Sequence, residues 1–230
     1  MRLDVIIPVF RDNAALARLL ESRRFGEPDA TVTVVFGEPD PAGESLVERH
    51  GASWLRSEMA GRARQMNHAA ACSTGDVLLF LHADTVPPVG ALATIRQAIA
   101  DGAVGGAFAR RFDSPSRWLK MSTRLADWRG RALGIFLGDQ GIFVRREVFG
   151  RLGGFDESVR YEDLDFSLRL RKAGRTTLLA PPVLSSSRRF AAKGVVRQTM
   201  RDFVAGLGYV LNLAEVRASD SESDGSLCQR

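Results

Sequence analysis

Acidic residues follow two apolar segments of the chain and open a third, where carboxylates can hold a metal ion or accept a proton. The clearest case is Asp84, which closes the apolar run in VLLFLHADTVPP at residues 77–88. An unpaired carboxylate at the edge of a core is costly unless something binds it. Mg²⁺ and Mn²⁺ prefer oxygen ligands and take the remainder from phosphate and water. Asp84 therefore predicts a divalent cation that carries nucleotide phosphates, with a simple turn cap as the alternative.

A second acidic pair, Glu162 and Asp163, opens the segment EDLDFSLRLRKAG. A carboxylate within hydrogen-bond reach of a sugar hydroxyl can remove its proton, so the pair is a candidate general base. Negative charge also suits the N-terminus of a helix, and plain helix capping is the alternative. A third acidic pair, Glu38 and Asp40, follows the apolar run TVTVVF in the segment GEPDPAG, which we expect to be a loop.

The pattern of apolar residues predicts an α/β fold with a mainly parallel central sheet flanked by helices. LDVIIPVF, TVTVVF and VLLFL are typical of strands buried on both faces, and GASWL indicates a short further strand. The stretch after LDVIIPVF and the stretch GRARQMNHAAACSTG have helical apolar stripes. This alternation is typical of βαβ units, whose ligands bind beyond the carboxyl ends of the strands. Glu38, Asp40 and Asp84 are expected at that edge.

The second half of the chain is less regular. LATIRQAIADG and SRWLKMSTRLADWRGRAL predict helices, and GGAFARRF and QGIFVRR predict strands. EDLDFSLRLRKAG alternates like a strand, but its acidic start and basic end suit a helix, which we predict. VVRQTMRDFVAGLGYVLNLAEV predicts a last helix, and residues 217–230 form a polar tail that we expect to be disordered. With no repeat and no clear linker, a single domain is expected.

Composition limits the classes of protein to consider. The 230 residues are 45% hydrophobic and 26% charged, as in ordinary globular domains. No apolar run approaches the roughly 20 residues that span a bilayer. The first apolar run lacks a small-residue cleavage site and predicts a strand, not a signal peptide. The only two cysteines, Cys72 and Cys228, do not indicate a disulfide framework, so a cytoplasmic protein is expected.

The net charge is +5 and the isoelectric point about 9.8. Much of the positive charge is local, at Arg110, Arg111, Arg117, Lys120, Arg124, Arg129 and Arg131. Such a cluster can attract nucleic acid, an anionic membrane surface or phosphorylated substrates, or can simply be a solvated face. Because the chain has no RNA-binding signature and no zinc-finger spacing, we expect no nucleic acid partner. Peripheral contact with the inner face of a membrane stays open.

The order of several motifs resembles the inverting family 2 glycosyltransferases of the GT-A fold. The motifs are VIIPVF, GRARQMNHAAACSTGDVLLFLHADT, GDQGIFVRREVFGRLGGFDE, YEDLDFSLRLRKAG and SSRRF. Within that family the chain is most similar to the arsenosugar-biosynthesis or selenodomain-associated group. The resemblance covers roughly residues 1–215 and implies one GT-A (Rossmann-like) domain at 1–216. It also implies metal-dependent transfer of a sugar, with inversion, from a nucleoside-diphosphate sugar to an acceptor hydroxyl.

The resemblance also implies roles for individual residues. Asp163 matches the catalytic base and Glu162 its supporting acid. Asp84 matches the last acid of a metal-binding triplet whose first acid is His82 here, so both are implied ligands of Mg²⁺ or Mn²⁺. Asp139 and Gln140 are implied to border the sugar or acceptor pocket. The implied nucleotide-sugar-binding residues are Pro8, Phe10, Glu38, Arg62, Gln65, Asn67, Asp84, Arg188 and Arg189.

Some of these implied roles have bland alternatives. The second-strand Asp that would contact uracil and ribose is missing from VVFGEPD, so either Glu38 substitutes for it or the base is recognised differently. Arg62 could belong to a solvated helix face, and Arg188 with Arg189 could be a surface pair. Trp118 and Trp128 could form a sugar platform, although tryptophans at such spacing more often belong to the core or to an amphipathic helix face.

Three functions therefore follow from the sequence. The first is the glycosyltransferase, with a UDP- or GDP-linked donor and a small-molecule or lipid-linked acceptor. The second is a degenerate nucleotide-sugar-binding module without transfer activity, which the histidine at position 82 favours. The third is a nucleotidyltransferase, which typically has a glycine-rich phosphate loop that VIIPVFRDNAALA lacks.

Overall fold

A computed structural model of the chain describes residues 1–58 and 61–188. Residues 1–187 form one compact unit, and a second unit begins at Arg188. The predicted last helix and the predicted tail at 217–230 lie outside the described residues, so the domain boundary at 216 stays a prediction.

The first unit contains eight strands and seven α-helices. The strands are β1 (Leu3–Val9), β2 (Ala30–Phe36), β3 (Ser53–Arg56), β4 (Val77–Phe80), β5 (Thr85–Val86), β6 (Gly105–Phe112), β7 (Ile142–Arg145) and β8 (Thr176–Ser185). The helices are α1 (Asn13–Glu21), α2 (Pro41–Arg49), α3 (Arg62–Cys72), α4 (Ala91–Ala100), α5 (Arg117–Leu133), α6 (Arg146–Arg151) and α7 (Glu162–Ala173). A short 3₁₀ turn spans Gly138–Gln140.

The strands form one sheet in the order β3-β2-β1-β4-β7-β6-β8-β5. β1 pairs in parallel with β2 and β4, β2 with β3, and β6 with β8. β7 runs antiparallel to both β4 and β6, and β5 runs antiparallel to β8. The predicted α/β fold with a mainly parallel sheet is confirmed.

Both faces of the sheet are covered, as the continuous apolar strands predict. In β1, Val5 and Ile7 belong to the hydrophobic cluster on one face, whereas Ile6 belongs to the cluster on the other. In β4, Leu79 and Leu78 divide between the two clusters in the same way. Side chains alternate along a strand, so only a sheet with cover on both faces can bury all of these residues.

Aspartate side chains cap the N-termini of two helices. Asp12 caps α1 by accepting a hydrogen bond from the N–H of Ala15 at 3.1 Å, and Asp40 caps α2 by accepting one from the N–H of Gly43 at 2.9 Å. The helix after Asp40 corrects the expectation of a loop at GEPDPAG. Pro41 occupies the first turn, where its missing N–H costs nothing.

In the second half of the chain, the structure confirms one prediction, the helix α7, and adds one strand that was not predicted, β8. EDLDFSLRLRKA is a helix, as predicted, and Phe166 and Leu170 lie on its buried face. β8 was not predicted, because Pro181 and Pro182 argue against a strand that pairs on both sides. The parallel register between β6 and β8 shifts at this point, from Phe108 opposite Leu179 to Arg110 opposite Val183, and this irregularity takes up the two prolines.

Within the described residues, no helix is long and apolar enough to cross a membrane.

The close pairing of β6 with β8 yields a stability prediction. A Cβ atom on Gly106 would lie 2.0 Å from the backbone oxygen of Thr177, so Gly106→Ala must push the two strands apart. We expect the free energy of unfolding to fall by about 1–3 kcal/mol, as overpacked sites generally show. Urea unfolding followed by circular dichroism measures this change.

Gly150 in α6 is the matched control, since a Cβ there meets nothing within 4 Å. Gly150→Ala should leave stability unchanged or raise it by up to about 1 kcal/mol. Equal unfolding midpoints for Gly106→Ala and Gly150→Ala would contradict the tight strand pairing.

Candidate active site

Four segments meet at one end of the sheet. They are the start of α3, the loop after β4, the 3₁₀ turn Gly138–Gln140 and the start of α7. Because β7 runs antiparallel to β4, with Phe80 opposite Ile142, the turn that precedes β7 lies beside the loop that follows β4. The fold therefore brings together residues that are far apart in the sequence.

Asp163 is buried and held in place by the backbone. Its Oδ2 accepts a hydrogen bond from the N–H of Gly138 at 2.7 Å, and its Oδ1 accepts one from the N–H of Leu164 at 2.8 Å. Nη2 of Arg62 lies 4.0 Å from the same Oδ2. These contacts fix the orientation of a carboxylate that faces the turn.

Arg62 joins the acids of α7 to the loop after β4. Its Nε donates to Oε1 of Glu162, and its Nη1 lies 3.2 Å from Nε2 of His82. Burial opposes the charge of Arg62, but Asp163, Glu162 and Asp139 outweigh burial and raise its pKa above the ordinary value. Arg62 is therefore a permanent cation within the site, not part of a solvated helix face.

Gly138 shows how closely the loop after β4 approaches the start of α7. A Cβ atom on this glycine would lie 2.7 Å from Nε2 of His82 and 3.3 Å from Oδ2 of Asp163. The turn can pass between the imidazole and the carboxylate only because it has no side chain there. The loop that carries His82 and the helix that carries Asp163 thus face each other across one glycine.

Asp139 lies in a second group of charges within the same site. Arg110, which is buried, donates from Nη1 to Oδ2 of Asp139. Burial would raise the pKa of Asp139, but the charges of Arg110, His82 and Arg129 and the hydrogen bond from Arg110 hold it below its ordinary value. Burial and the neighbouring charge of Arg110 lower the pKa of Arg129, against the opposing effects of Asp139 and Asp163.

Three predicted polar residues support the backbone around the site. Gln140 is fully buried, donates to the oxygen of Phe108 at 3.1 Å and accepts from the N–H of Leu137 at 3.0 Å. Gln65 donates to the oxygens of Val9 at 2.9 Å and Val35 at 2.6 Å, which join the ends of β1 and β2.

Asn67 has a similar supporting place. Its amide donates to the oxygen of Phe155 at 2.8 Å and accepts from the N–H of the same residue at 2.9 Å. Like Gln65 and Gln140, it positions backbone in this structure, and the predicted contacts of all three with substrate remain predictions.

The predicted nucleotide-binding residues of β1 and β2 lie at the carboxyl edge of the sheet. Pro8 is opposite Val35 in the parallel ladder, and Phe10 is exposed just beyond the strand. Arg11 adopts a φ of 52° and donates from Nη2 to Oε2 of Glu38 at 2.9 Å. The hydrogen bond and charge from Arg11 hold the pKa of Glu38 below its usual value.

His82 and Asp84 were tested as ligands of a divalent cation. No group of three or more His, Cys, Asp and Glu side chains that could hold a metal occurs within residues 1–58 and 61–188. Mg²⁺ and Mn²⁺ need only one or two protein ligands when phosphates and water complete their shell. The donor set therefore fits a cation that arrives with a diphosphate, and binding at Nε2 of His82 would require its contact with Arg62 to break.

The predicted diphosphate pair lies at the limit of the described chain. Arg188 is exposed and is the last described residue, and Arg189 lies outside the described residues, as does Lys193. Their predicted contacts remain predictions.

Sequence reasoning missed the roles of several residues. Arg110 and Arg129 were assigned to a basic cluster, but both interact electrostatically with Asp139. Arg11 was not singled out, although it directly follows Phe10 at the end of β1. Gly138 could have been noticed as the first residue of GDQG, but only the tertiary contacts show why a glycine is needed there.

Comparison with known proteins assigns a family to this arrangement. The family model described as Glycosyl transferase family 2 matches residues 4–156. The matched region includes Arg62, His82, Asp84 and Asp139, and ends before Glu162 and Asp163. A search of curated proteins finds no match.

Solved structures share the fold at low sequence identity. A mannosyltransferase from Pyrobaculum calidifontis, PcManGT, in complex with GDP-Man and Mn²⁺, is 24% identical with a TM-score of 0.65 over 80% of this chain. Glucosyl-3-phosphoglycerate synthase from Mycobacterium tuberculosis, in complex with phosphoglyceric acid, is 16% identical with a TM-score of 0.62 over 90% of this chain and 80% of its own. TarS from S. aureus is 17% identical with a TM-score of 0.63 over 81% of this chain. This chain spans 56% of the length of PcManGT and 37% of that of TarS.

The charges around Asp139 yield a prediction about pH. Because the folded-state pKa of Asp139 is lowered, its contribution to stability is present above the unfolded-state pKa and is lost as pH falls through the folded-state pKa. Asp139→Asn leaves Arg110 buried without its counter-charge and should cost about 3–5 kcal/mol of unfolding free energy at neutral pH. Below about pH 4 the gap between wild type and variant should narrow, since wild-type Asp139 also loses its charge.

Urea unfolding at neutral and acidic pH measures that gap. Asp156→Asn is the control, because Asp156 is exposed and its lowered pKa comes from hydrogen bonds of nearby Ser158. A gap for Asp139→Asn that stays constant with pH would show that its charge does not stabilise the fold.

Proposed function

This chain belongs to glycosyl transferase family 2, and on that premise we propose that it is a metal-dependent inverting glycosyltransferase. Its donor would be a nucleoside-diphosphate sugar, UDP- or GDP-linked, and its acceptor a hydroxyl group. The observation that carries the proposal is the meeting of Asp163 and Glu162 with His82 through Arg62 and Gly138. Direct displacement needs the base and the leaving-group site close together, and this arrangement brings the two segments that carry them to one place.

Asp163 is the proposed catalytic base. The N–H groups of Gly138 and Leu164 hold its two oxygens, so the carboxylate keeps one orientation without a change of rotamer. Glu162 pairs with Arg62, which keeps that cation beside Asp163. In this arrangement Asp163 takes the proton of the acceptor hydroxyl, which attacks the anomeric carbon from the face opposite the diphosphate, and the configuration inverts.

The leaving diphosphate needs positive charge. A divalent cation, Mg²⁺ or Mn²⁺, held at Asp84 with His82 beside it would neutralise the charge that develops on the diphosphate. Arg62 adds a fixed cation whose Nη1 lies 3.2 Å from Nε2 of His82, and Arg188 and Arg189 are proposed to add two more. Phe10 and Pro8, with Glu38 close by, would border the nucleotide at the ends of β1 and β2.

The donor and the metal are proposed with support from similar proteins. PcManGT was determined with GDP-Man and Mn²⁺, and glucosyl-3-phosphoglycerate synthase with Mn²⁺, UDP-Glc and phosphoglyceric acid. We further propose that the chain belongs to the arsenosugar-biosynthesis or selenodomain-associated group, and that the acceptor is a small molecule or lipid-linked. Asp139 would border the acceptor, with Gln140 fixing the turn that carries it.

A nucleotide-sugar-binding module without transfer activity is the second candidate. It is favoured by the contact of His82 with Arg62, where an acidic metal ligand would otherwise stand, and by the pairing of Glu38 with Arg11. The nucleotidyltransferase alternative gains no support from the family match. The two remaining candidates share a binding site and differ only in turnover.

Substitution of the proposed base separates these candidates. Asp163→Asn should lower the rate of sugar release from UDP- or GDP-sugars, with Mn²⁺ and a panel of hydroxyl acceptors, by about 10²–10⁴ because the acceptor proton has no base to receive it. The rate is measured as nucleoside diphosphate released, with binding of the donor measured in parallel.

The matched control is Asp165→Asn, two residues along the same helix, where the carboxylate pairs with Arg169 outside the site. This control should stay close to the wild-type rate. A loss below tenfold for Asp163→Asn with an intact fold would reject its role as base, and nucleotide binding without any turnover in the wild type would favour the binding module.

The metal proposal predicts a coupling between nucleotide and cation. UDP or GDP should raise the unfolding temperature more with Mn²⁺ than without it, because only ligands that prefer the native state stabilise it. Asp84→Asn should abolish the extra shift due to Mn²⁺ and weaken nucleotide affinity in its presence by roughly tenfold or more. Thermal shift and calorimetric titration measure the two effects.

Asp29→Asn is the control for this experiment, since Asp29 is exposed and lies at the opposite end of the sheet, just before β2. It should keep the full effect of Mn²⁺. Unchanged Mn²⁺-dependent nucleotide binding in Asp84→Asn would remove Asp84 from the metal site.

A further inference from the structure

α5 exposes a row of large apolar side chains. Trp118, Met121, Leu125 and Trp128 follow one another at steps of three or four residues, the spacing of one helix face. These four residues, called here the α5 stripe, are between 49% and 58% exposed. A contiguous apolar patch of this kind on a soluble domain commonly marks an interaction site.

The opposite face of α5 is the one that packs on the protein. Thr123, Ala126 and Gly130 are buried there, and a Cβ on Gly130 would lie 3.1 Å from Cδ1 of Leu178 in β8. Leu119 is also buried on this face, but its other apolar members are small and let the helix approach the sheet closely, whereas both tryptophans point outward. This is the reverse of an ordinary surface helix, which buries its largest apolar residues.

Positive charge lies along one edge of the α5 stripe. Arg117, Lys120, Arg124 and Arg131 are exposed on the same helix, and none of them forms an ion pair with another described residue. The one acidic residue of α5, Asp127, is buried and pairs with Arg111. The outward face of the helix is therefore apolar, with exposed cations along one of its edges.

We propose that α5 binds an anionic phospholipid surface. Helices that lie in a membrane interface have tryptophan and leucine on one face and arginine or lysine beside them, as α5 does. The rings of Trp118 and Trp128 would enter the boundary between headgroups and acyl chains, and the flanking cations would meet lipid phosphates.

Charge argues against a second copy of the chain on this face. Two α5 helices in contact would bring Arg117, Lys120 and Arg124 of one copy against like charges of the other, with no exposed acid on either helix. An anionic lipid surface instead complements those charges. The proposal does not depend on glycosyl transfer, and it can hold or fail independently of that function.

Vesicle cosedimentation of the full chain tests the proposal. Binding to vesicles of phosphatidylcholine with one-third phosphatidylglycerol should exceed binding to pure phosphatidylcholine by about tenfold or more at low salt, and should fall as salt screens the charges. Trp118→Ser with Trp128→Ser should reduce anionic-vesicle binding by about tenfold or more through loss of apolar insertion. Lys120→Glu with Arg124→Glu should reduce it at least as much.

The charge control is Arg18→Glu with Arg49→Glu, which changes the net charge equally on the exposed faces of α1 and α2. It should retain binding within about twofold, because distant charges are screened. Tryptophan emission of the wild type should also shift to shorter wavelength with anionic vesicles, and this shift should vanish in the Trp118→Ser, Trp128→Ser variant.

Several results would overturn the proposal. One is no binding to anionic vesicles at low salt, and another is an equal loss in the two charge-reversal variants. Self-association of the wild type that disappears with the tryptophan substitutions, without vesicle binding, would assign the stripe to a second copy. Tryptophan emission that resists a soluble quencher in the absence of vesicles would show that other residues of the chain cover the stripe.

Discussion

The candidate site depends on the pairing of one guanidinium, that of Arg62, with acids that lie a hundred residues further along the chain. Glu162 and Asp163 are adjacent carboxylates at the buried start of α7, and burying two negative charges side by side is costly without a nearby cation. Arg62 supplies that cation and at the same time contacts His82 in the loop after β4. One ion pair therefore holds α3, α7 and the β4 loop in register around the place where chemistry is proposed.

The same rule explains the second half of the site. Asp139 pairs with buried Arg110 and also attracts Arg129, so the charges of this group offset one another. The neutral polar side chains serve the backbone instead, with Gln65 joining β1 to β2 and Gln140 closing the turn before β7. The result is a site whose groups are positioned before any ligand binds, which is what electrostatic stabilisation of a leaving group requires.

Elements that depend on their own residues could be predicted from the sequence, whereas elements that depend on contacts with neighbouring strands could not. β1, β2 and β4 were predicted from their apolar runs, because burial on both faces leaves a direct trace in sequence. β8 was missed because Pro181 and Pro182 are tolerated only through a register irregularity that depends on its neighbour β6. α2 was missed because its PDPAG start is equally typical of a loop, and the helix that Asp40 caps is held in place by the burial of Val47 in the core.

The sequence by itself determined the alternation of strands and helices and which residues of α5 share a face, because both follow from the spacing of apolar residues. It also determined that acids at positions 84, 162 and 163 are candidates for the site, because their charge and place at the ends of elements can be recognised directly. Only the tertiary structure decided that Arg62 meets Glu162, that Arg110 turns to Asp139, and that α5 buries Gly130 while Trp118 and Trp128 face outward. Periodicity shows which side chains lie together on a helix, but the shape of the surface beneath decides which face packs. At α5 that surface comes close enough to Gly130 to leave little room for a side chain there, while Leu119 is buried earlier on the same face.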